Sequence, residues 1–196
     1  MEGDNMKAGN TGVSANTPKN ILFGAGTIHK NLAYADGSWN FDESIIGATS
    51  GGSKLSIIPE ITKIEVDGAL VATKGLTVKT GETATMEINF IELTPELIKA
   101  ATIGESGTSE DATFEMIVSK AAIAEGDYWD NVAFVGKTLE GKNVIAILEN
   151  AICTSGFEQE GKSKEGAIGK YTFESHAELA SDLDRLPWKI FYPKTA

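Results

Sequence analysis

The sequence predicts a mainly β fold, either a two-sheet sandwich or a barrel-like pair of sheets, with one flanking α-helix at about residues 95–103 and long loops. Apolar and polar residues alternate with a period of two over several short segments, as in half-buried strands. Glycine accounts for 21 of the 196 residues and clusters between these segments, where turns are expected, whereas proline accounts for only 5. Hydrophobic residues make up 41% of the chain, so there is enough apolar material for a core.

The clearest strand pattern runs from residue 83 to residue 93. One side carries apolar residues, namely Ala84, Met86, Ile88 and Phe90. Residues 142–152 are apolar on both faces, which predicts a strand buried between layers. Pro59 indicates an edge or a bend, Thr80 and Gly81 are expected to close a short strand, and residues 186–193 resemble a final edge strand.

A change of pattern predicts the helix. Thr94 suits the N-cap, Pro95 the first helical position and Glu96 the positive end of the helix dipole. Gly104 is expected to end the helix. The apolar stripe that should face the body of the domain is Leu97, Ile98 and Ala101.

The chain is expected to form one domain over residues 21–196, preceded by a polar arm at residues 1–20. Residues 31–53 carry turn signatures yet contain apolar side chains, so this segment is expected to pack on its own domain or on a neighbour. We expect the arm and this segment to be mobile in a free subunit and ordered in a polymer.

Composition argues against several functions. The net charge is −11 and Arg185 is the only arginine, so direct binding to nucleic acid is not expected. No apolar run is long enough to predict a membrane span, and the N-terminus has no apolar signal segment. Cys153, the single cysteine, follows an apolar run and is predicted to be a small core residue.

One motif matches a nucleotide-binding pattern. Residues 156–163 fit G-x-x-x-x-G-K-[ST], in which a following helix must hold the phosphates. Here two glycines and a β alternation follow instead, and Glu158 and Glu160 would place carboxylates in the anion cradle. We therefore interpret the segment as a solvated hairpin loop; the alternative, an ATP-using enzyme, predicts nucleotide affinity.

The remaining reactive residues form no recognisable site. His29 and His176 are the only histidines, and neither has ligands at metal spacing. A nucleophilic pair of Cys153 and His176, or sugar stacking on the tryptophans, requires more than these isolated residues. The sequence therefore predicts no catalytic, cofactor-binding or metal-binding residue, and no enzyme.

The order of several short motifs resembles the major tail tube proteins of tailed bacteriophages from Gram-positive hosts. The opening motif is FGAGTIHKN at residues 23–31, and the strand-to-helix passage is at 84–99. The other matching segments, in order, are 47–52, 59–61, 65–68, 74–76, 148–151, 154–156 and 183–193. Together they cover nearly the whole chain except the polar arm.

The resemblance implies a structural subunit that forms hexameric rings, which stack into a hollow tube for DNA ejection. Implied partners are further copies of itself, a tape-measure protein, a tail terminator and distal tail or baseplate proteins. Genome DNA would pass through without specific binding, and the chain would bind no membrane. The implied location is the virion tail, with assembly in the host cytoplasm; contractile tails, tail-like bacteriocins and type VI secretion tubes remain open. The competing interpretation is a monomeric Ig-like or carbohydrate-binding sandwich.

Within a tube, a strand of the inner sheet should be polar towards the channel and apolar towards the core. The residues that fit a lumen-facing position are Thr83, Thr85, Glu87, Asn89, Thr172, Glu174 and His176. The alternative is that these faces meet bulk solvent. The residues expected in a ring-stacking loop are Trp39, Phe41, Ile45, Ile46, Gly51 and Gly52.

Overall fold

The computed structural model describes residues 12–161, 163–164, 166–181 and 183–194. The predicted mainly β character is confirmed, since strands take up 46% and helices 11% of the chain. The elements in chain order are α1 (Thr17–Asn20), β1 (Leu22–Lys30), β2 (Tyr34–Ala35), β3 (Ser38–Trp39), α2 (Phe41–Ser44), β4 (Thr49–Lys63), β5 (Thr77–Phe90), α3 (Pro95–Thr102), β6 (Gly104–Gly107), β7 (Met116–Ser119), a 3-10 turn (Glu125–Asp127), β8 (Trp129–Thr138), β9 (Asn143–Cys153), β10 (Gly169–Ser175) and β11 (Trp188–Phe191).

One large antiparallel sheet has the order β1-β8-β9-β10-β5-β4. One edge of β9 pairs with β8 along almost its whole length. The other edge is shared, because β11 pairs with residues 145–148 and β10 pairs with residues 151–153. Strands β1 and β4, at the two ends of the order, approach each other, and the Ile46 N–H donates to the Ile28 carbonyl just before β4 begins. The sheet therefore curves around a common interior.

The main core lies on the inner face of this curved sheet. The four apolar residues predicted on one side of β5 are all buried there, which confirms the alternation. The other buried members are Ile28, Leu97, Ala101, Trp129, Val132, Leu148, Ala151, Cys153, Tyr171 and Phe173. Every strand of the sheet contributes to this core, with Leu55 and Ile57 of β4 packed against its margin.

Strand β9 is buried on both faces, as its sequence predicts. Leu148 points into the main core, whereas Ile145 and Ile147 belong to a second cluster on the outer face. Leu32, Ala133 and Val135 complete the buried part of that cluster, and Trp39 and Phe41 pack over it. The segment 31–53 therefore packs on its own domain. It is also more regular than predicted, since it holds β2, β3, α2 and the start of β4.

Helix α3 runs from Pro95 to Thr102, one residue shorter than expected. The Thr94 hydroxyl accepts a hydrogen bond from the Leu97 N–H at 3.2 Å, which confirms the predicted cap. The left-handed residue that ends the helix is Ile103, with φ of 49°, rather than Gly104. Gly104 instead begins β6, where an added Cβ would lie 2.7 Å from the Thr102 hydroxyl. Its role is close packing between the helix and the β6–β7 pair.

One further sequence prediction needs correction, and another is confirmed. Thr80 and Gly81 do not close a strand, because β5 continues through them and pairs with β4 on both sides of a bulge. Pro59 lies within β4, an outermost strand of the sheet, so the predicted edge position is confirmed; an edge strand tolerates a residue without an N–H. Of the predicted polar arm, residues 1–11 lie outside the described residues, and residues 12–20 include α1. No described helix is both long and apolar enough to cross a membrane.

Replacement of Leu97 by alanine tests how α3 is held. Leu97 is fully buried in the main core, so Leu97→Ala should lower the free energy of unfolding by ~2–5 kcal/mol through lost contacts and a residual cavity. Urea unfolding measures the change. Leu179→Ala is the matched control, since Leu179 is 94% exposed and its truncation should cost less than about 0.5 kcal/mol. Equal effects of the two substitutions would contradict the placement of α3.

Candidate assembly surfaces

The register of β10, β5 and β4 brings most of the predicted lumen-facing residues onto one continuous face. Thr172 lies opposite Glu87, and Glu174 lies opposite Thr85. Thr83 and Asn89 lie on the same side of β5 as Thr85 and Glu87. Along this part of β5, buried residues alternate with exposed or half-buried ones, and these four are all on the exposed side. We call this surface, on the outer side of β10, β5 and β4, the polar face.

His176 is the predicted residue that departs from this arrangement. It follows the last residue of β10, and its ring packs edge-on against Tyr128 with the ring centroids 5.6 Å apart. Its carbonyl accepts a hydrogen bond from the Asn150 side chain. The residue therefore borders the polar face and also holds the end of β10 to β9.

Strand β4 adds a lysine that sequence reasoning missed. Lys54 lies opposite Glu87, and its ammonium group is 2.7 Å from the Glu87 carboxylate. Lys170, opposite Asn89, is also exposed, so the polar face carries lysines as well as glutamates. Both side chains of the Lys54–Glu87 pair are more than half exposed, so the ion pair contributes at most about 1 kcal/mol. Its main effect is to make this face nearly neutral although the chain is acidic.

Asn89 has a structural role on this face. Its side-chain amide donates to the Gly52 carbonyl at 3.1 Å. Gly51 and Gly52 both have positive φ, at 84° and 83°, and form the irregularity where β4 slips its register against β5. Glycine is the residue that adopts this conformation without steric cost. These two predicted stacking-loop residues therefore lie within β4, where they shape the strand.

The distal part of the β4–β5 hairpin projects beyond the sheet. Pairing between β5 and β10 ends at Thr85, so residues 58–82 form a two-stranded extension that we call the apolar arm. Its exposed apolar residues, with the exposed fraction of each, are Ile58 (57%), Ile61 (60%), Ile64 (51%), Val66 (50%), Leu70 (98%), Val71 (79%) and Val78 (40%). An isolated two-stranded ribbon is only marginally stable in water, and so many exposed apolar side chains make this extension a candidate interaction surface.

The base of the apolar arm is fixed to the domain through Glu82. Its carboxylate accepts a hydrogen bond from the Trp188 indole at 3.1 Å and lies 3.0 Å from the Lys79 ammonium group. The hydrogen bonds from Lys79 and then from Trp188 lower the pKa of Glu82 below its usual value. Since Trp188 belongs to β11, the last strand of the chain anchors the arm.

The aromatic residues predicted in a stacking loop form a cluster over the outer face of β9. The Trp39 ring stacks on Phe41 with centroids 6.2 Å apart and meets Phe191 of β11 edge-on at 5.1 Å. Ile46 packs against the main core, whereas Ile45 remains 48% exposed. The segment thus has apolar anchors on its own domain, one of the two alternatives that its sequence left open.

A buried histidine fastens this segment to β1. The Ser44 hydroxyl donates to the Asn40 carbonyl at 2.8 Å, so it accepts the hydrogen bond from His29 Nδ1, also at 2.8 Å. His29 Nε2 is then the acceptor for the Thr27 hydroxyl at 2.7 Å. Burial lowers the pKa of His29, and a hydrogen bond to the Phe41 backbone opposes this in part. His29 is therefore a neutral structural clamp, a role that the isolated histidine in the sequence could not reveal.

The segment that matched the nucleotide-binding pattern connects β9 to β10. Residues 156–161, 163–164 and 166–168 contain no helix, β10 begins at Gly169, and Lys162 lies outside the described residues. Phe157 packs against the main core. These observations confirm the hairpin-loop interpretation. Among the described residues, no group of three or more His, Cys, Asp or Glu could hold a metal ion.

Comparisons with known proteins do not identify a family. No protein-family model and no curated protein matches the chain.

Acidification should weaken the His29 clamp. The folded pKa of His29 lies below its ordinary value of 6.5, so the unfolded chain binds more protons and stability should fall as the pH decreases below about 6.5. One proton sets an upper limit of ~1.4 kcal/mol per pH unit on this slope. Urea unfolding between pH 8 and about 5.5 measures it, above the ordinary pKa of 4.5 of Glu82 and Glu115, whose folded pKa values are lower still. His29→Gln should lower stability at pH 8 and flatten this slope; an unchanged slope would exclude His29 as its source.

Proposed function

We propose that this chain is a structural subunit that polymerises through its own surfaces, as the major tail tube protein of a tailed bacteriophage. The observation that carries the proposal is the apolar arm, which extends beyond the sheet and exposes apolar side chains along its whole length. Single exposed apolar residues are ordinary, but an extension made largely of them is stable in water only if a partner covers it. A second copy of the chain is the partner that a polymerising subunit always has.

The fold supports this proposal. All strands of the large sheet share one core and its end strands approach each other, so we assign the body to the sandwich or barrel-like class. Strand β4 remains an outermost strand with one unpaired edge among the described residues. An exposed edge invites pairing with another chain. If the contact between two copies joins two different surfaces, it is heterologous and can close into a ring. The number of six subunits in the ring is implied only by the resemblance.

The polar face is our candidate for the channel lining. It combines a polar outer surface with a buried and mainly apolar inner surface on the same strands. An excess of lysines would retain DNA by contacts to phosphate, whereas Lys54 is paired with Glu87 here and the charge of Lys170 is matched by Glu174 on the same face. Weak interaction of this kind suits a conduit for DNA.

The resemblance supplies the remaining parts of the proposal. We infer a structural protein without catalysis that acts in the virion tail after assembly in the host cytoplasm. It would meet a tape-measure protein inside the tube and terminator and distal tail or baseplate proteins at the ends. The alternative, a monomeric Ig-like or carbohydrate-binding module, predicts a stable monomer at all concentrations.

Polymerisation of the purified chain tests the proposal. We expect hollow tubes in negative-stain electron microscopy at high protein concentration, and rings or short stacks near the threshold concentration. Replacing Leu70 by Gln together with Val71 by Thr should raise that threshold at least about tenfold, because two highly exposed apolar side chains lose the burial that assembly gives them. Unfolding should be unaffected, since neither residue contacts the core.

Leu179→Gln is the control, because Leu179 is equally exposed but lies outside the apolar arm. It should polymerise like the wild type. Wild-type protein that sediments as a monomer under all these conditions would exclude a tube subunit and favour the monomeric alternative.

A further inference from the structure

An open groove lies between the β2–β3 pair and α2. It has a volume of about 450 Å³ and is lined in part by Trp39, Phe41, Asp42 and Glu43. Tyr34, which is 60% exposed, leans on Trp39 with the ring centroids 5.3 Å apart. We call this surface the aromatic groove.

Two carboxylates at the groove have no partner within the described part of the chain. The side chains of Asp42 and Glu43 are exposed, and neither forms an ion pair or hydrogen bond with another described residue. Elsewhere on the same domain, exposed glutamates such as Glu87 and Glu115 have a lysine next to them. Aromatic rings beside free carboxylates are suited to an apolar side chain accompanied by a cation.

The tip of the apolar arm has the complementary chemistry. Leu70 and Val71 are 98% and 79% exposed, and Lys74 follows them in the same turn region. The Lys74 ammonium group likewise has no partner among the described residues. The tip therefore offers two aliphatic side chains and a free cation. The near-complete exposure of Leu70 also excludes that the tip occupies the groove of its own chain.

We propose that the tip of the apolar arm docks into the aromatic groove of a second copy. Leu70 and Val71 cover the aromatic rings, and the Lys74 ammonium group lies between the carboxylates of Asp42 and Glu43. This inference rests on the proposed function, since it names the contact through which subunits associate. Each chain carries one tip and one groove, so the contact is heterologous and can propagate from subunit to subunit.

The geometry explains why both surfaces are held firmly. The groove is backed by the second cluster, and the His29–Ser44 hydrogen bond fixes the helix that carries Asp42 and Glu43. The arm is anchored at its base by the Glu82–Trp188 hydrogen bond. Rigid partners lose less conformational freedom on association, which favours affinity.

Reciprocal charge reversal tests the contact. Lys74→Glu should raise the threshold concentration for polymerisation at least about tenfold, because it places three carboxylates together. The double substitution Asp42→Lys and Glu43→Lys should do the same, and the two sets combined should restore polymerisation to within about threefold of the wild type. Light scattering and pelleting measure the threshold. Carbodiimide cross-linking of the wild type, followed by mass spectrometry of peptides from isotopically mixed copies, should join Lys74 of one copy to Asp42 or Glu43 of another.

Two matched controls separate the contact from general charge effects. Lys63→Glu alters a free lysine on the same arm, and Asp36→Lys alters a carboxylate in the β2–β3 turn. Both should leave the threshold within about twofold of the wild type.

The outcomes distinguish this inference from the proposed function. If the wild type forms tubes but gives no intermolecular cross-link, or if Lys74→Glu polymerises at the wild-type threshold, the docking contact is wrong. The proposal of a tube subunit would not be affected by either result. Cross-linked oligomers that never form tubes would support the contact and contradict the tube. A chain that remains monomeric and yields no cross-link would overturn both.

Discussion

The two-sided burial of β9 is the constraint on which the rest of the structure depends. Side chains alternate along a strand, so a slip of one residue in its pairing with β8 would exchange Leu148 of the main core with Ile147 of the second cluster. Leu148 and Ile147 are both buried, and the main core and the second cluster are both filled. A slip would disrupt the packing of both clusters, so both favour the same register of β9 against β8. Beyond this stretch, Asn150 adopts a left-handed conformation, and its side-chain amide bonds the carbonyl of His176. The same edge of β9 therefore pairs with β11 before Asn150 and with β10 after it. Because β10 carries part of the polar face and β11 anchors the apolar arm through Trp188, both features depend on this shared edge.

Strands β4 and β5 have two different roles along their length. Near Phe90 they belong to the body, with one side in the main core and the other on the polar face. From Thr85 towards the tip of the hairpin, no third strand among the described residues pairs with them. Apolar residues that would fill a core inside the body are exposed to water there. A hairpin of this kind keeps its ladder hydrogen bonds but lacks the burial that stabilises a sheet. Its stability depends on Glu82 at the base and, in our proposal, on a neighbouring subunit.

The sequence predicts those features that depend on local pattern. The alternation in β5, the cap at Thr94 and the doubly apolar stretch in β9 each involve residues close in sequence, and all were found as expected. The length of the β4–β5 hairpin was not predicted, because Thr80 and Gly81 have turn propensity but are accommodated in a ribbon with an irregular register. Long-range register could not be predicted either. The position of Lys54 beside Glu87 depends on pairing between residues 33 apart, and nothing in the local pattern of either strand indicates it. The exposure of the apolar arm could not be predicted either, because its isoleucines and valines are residue types that are typical of buried strands.

Charge sets the conditions under which such subunits can associate. Each chain carries a net charge of −11, so copies brought together repel one another over a Debye length of about 10 Å at 0.1 M salt. Local pairing of Lys54 with Glu87 and of Lys99 with Glu115 reduces the field near those surfaces but leaves the net charge unchanged. In the proposed assembly, burial of the apolar arm drives association, because its contribution does not require opposite charge. Salt then acts in two directions, because it screens the general repulsion between acidic subunits and also weakens any local contact between Lys74 and the carboxylates of the aromatic groove. Since the repulsion sums over many distant charges while the contact involves only a few neighbouring ones, screening of the repulsion should dominate at low ionic strength, and moderate salt should promote rather than oppose assembly.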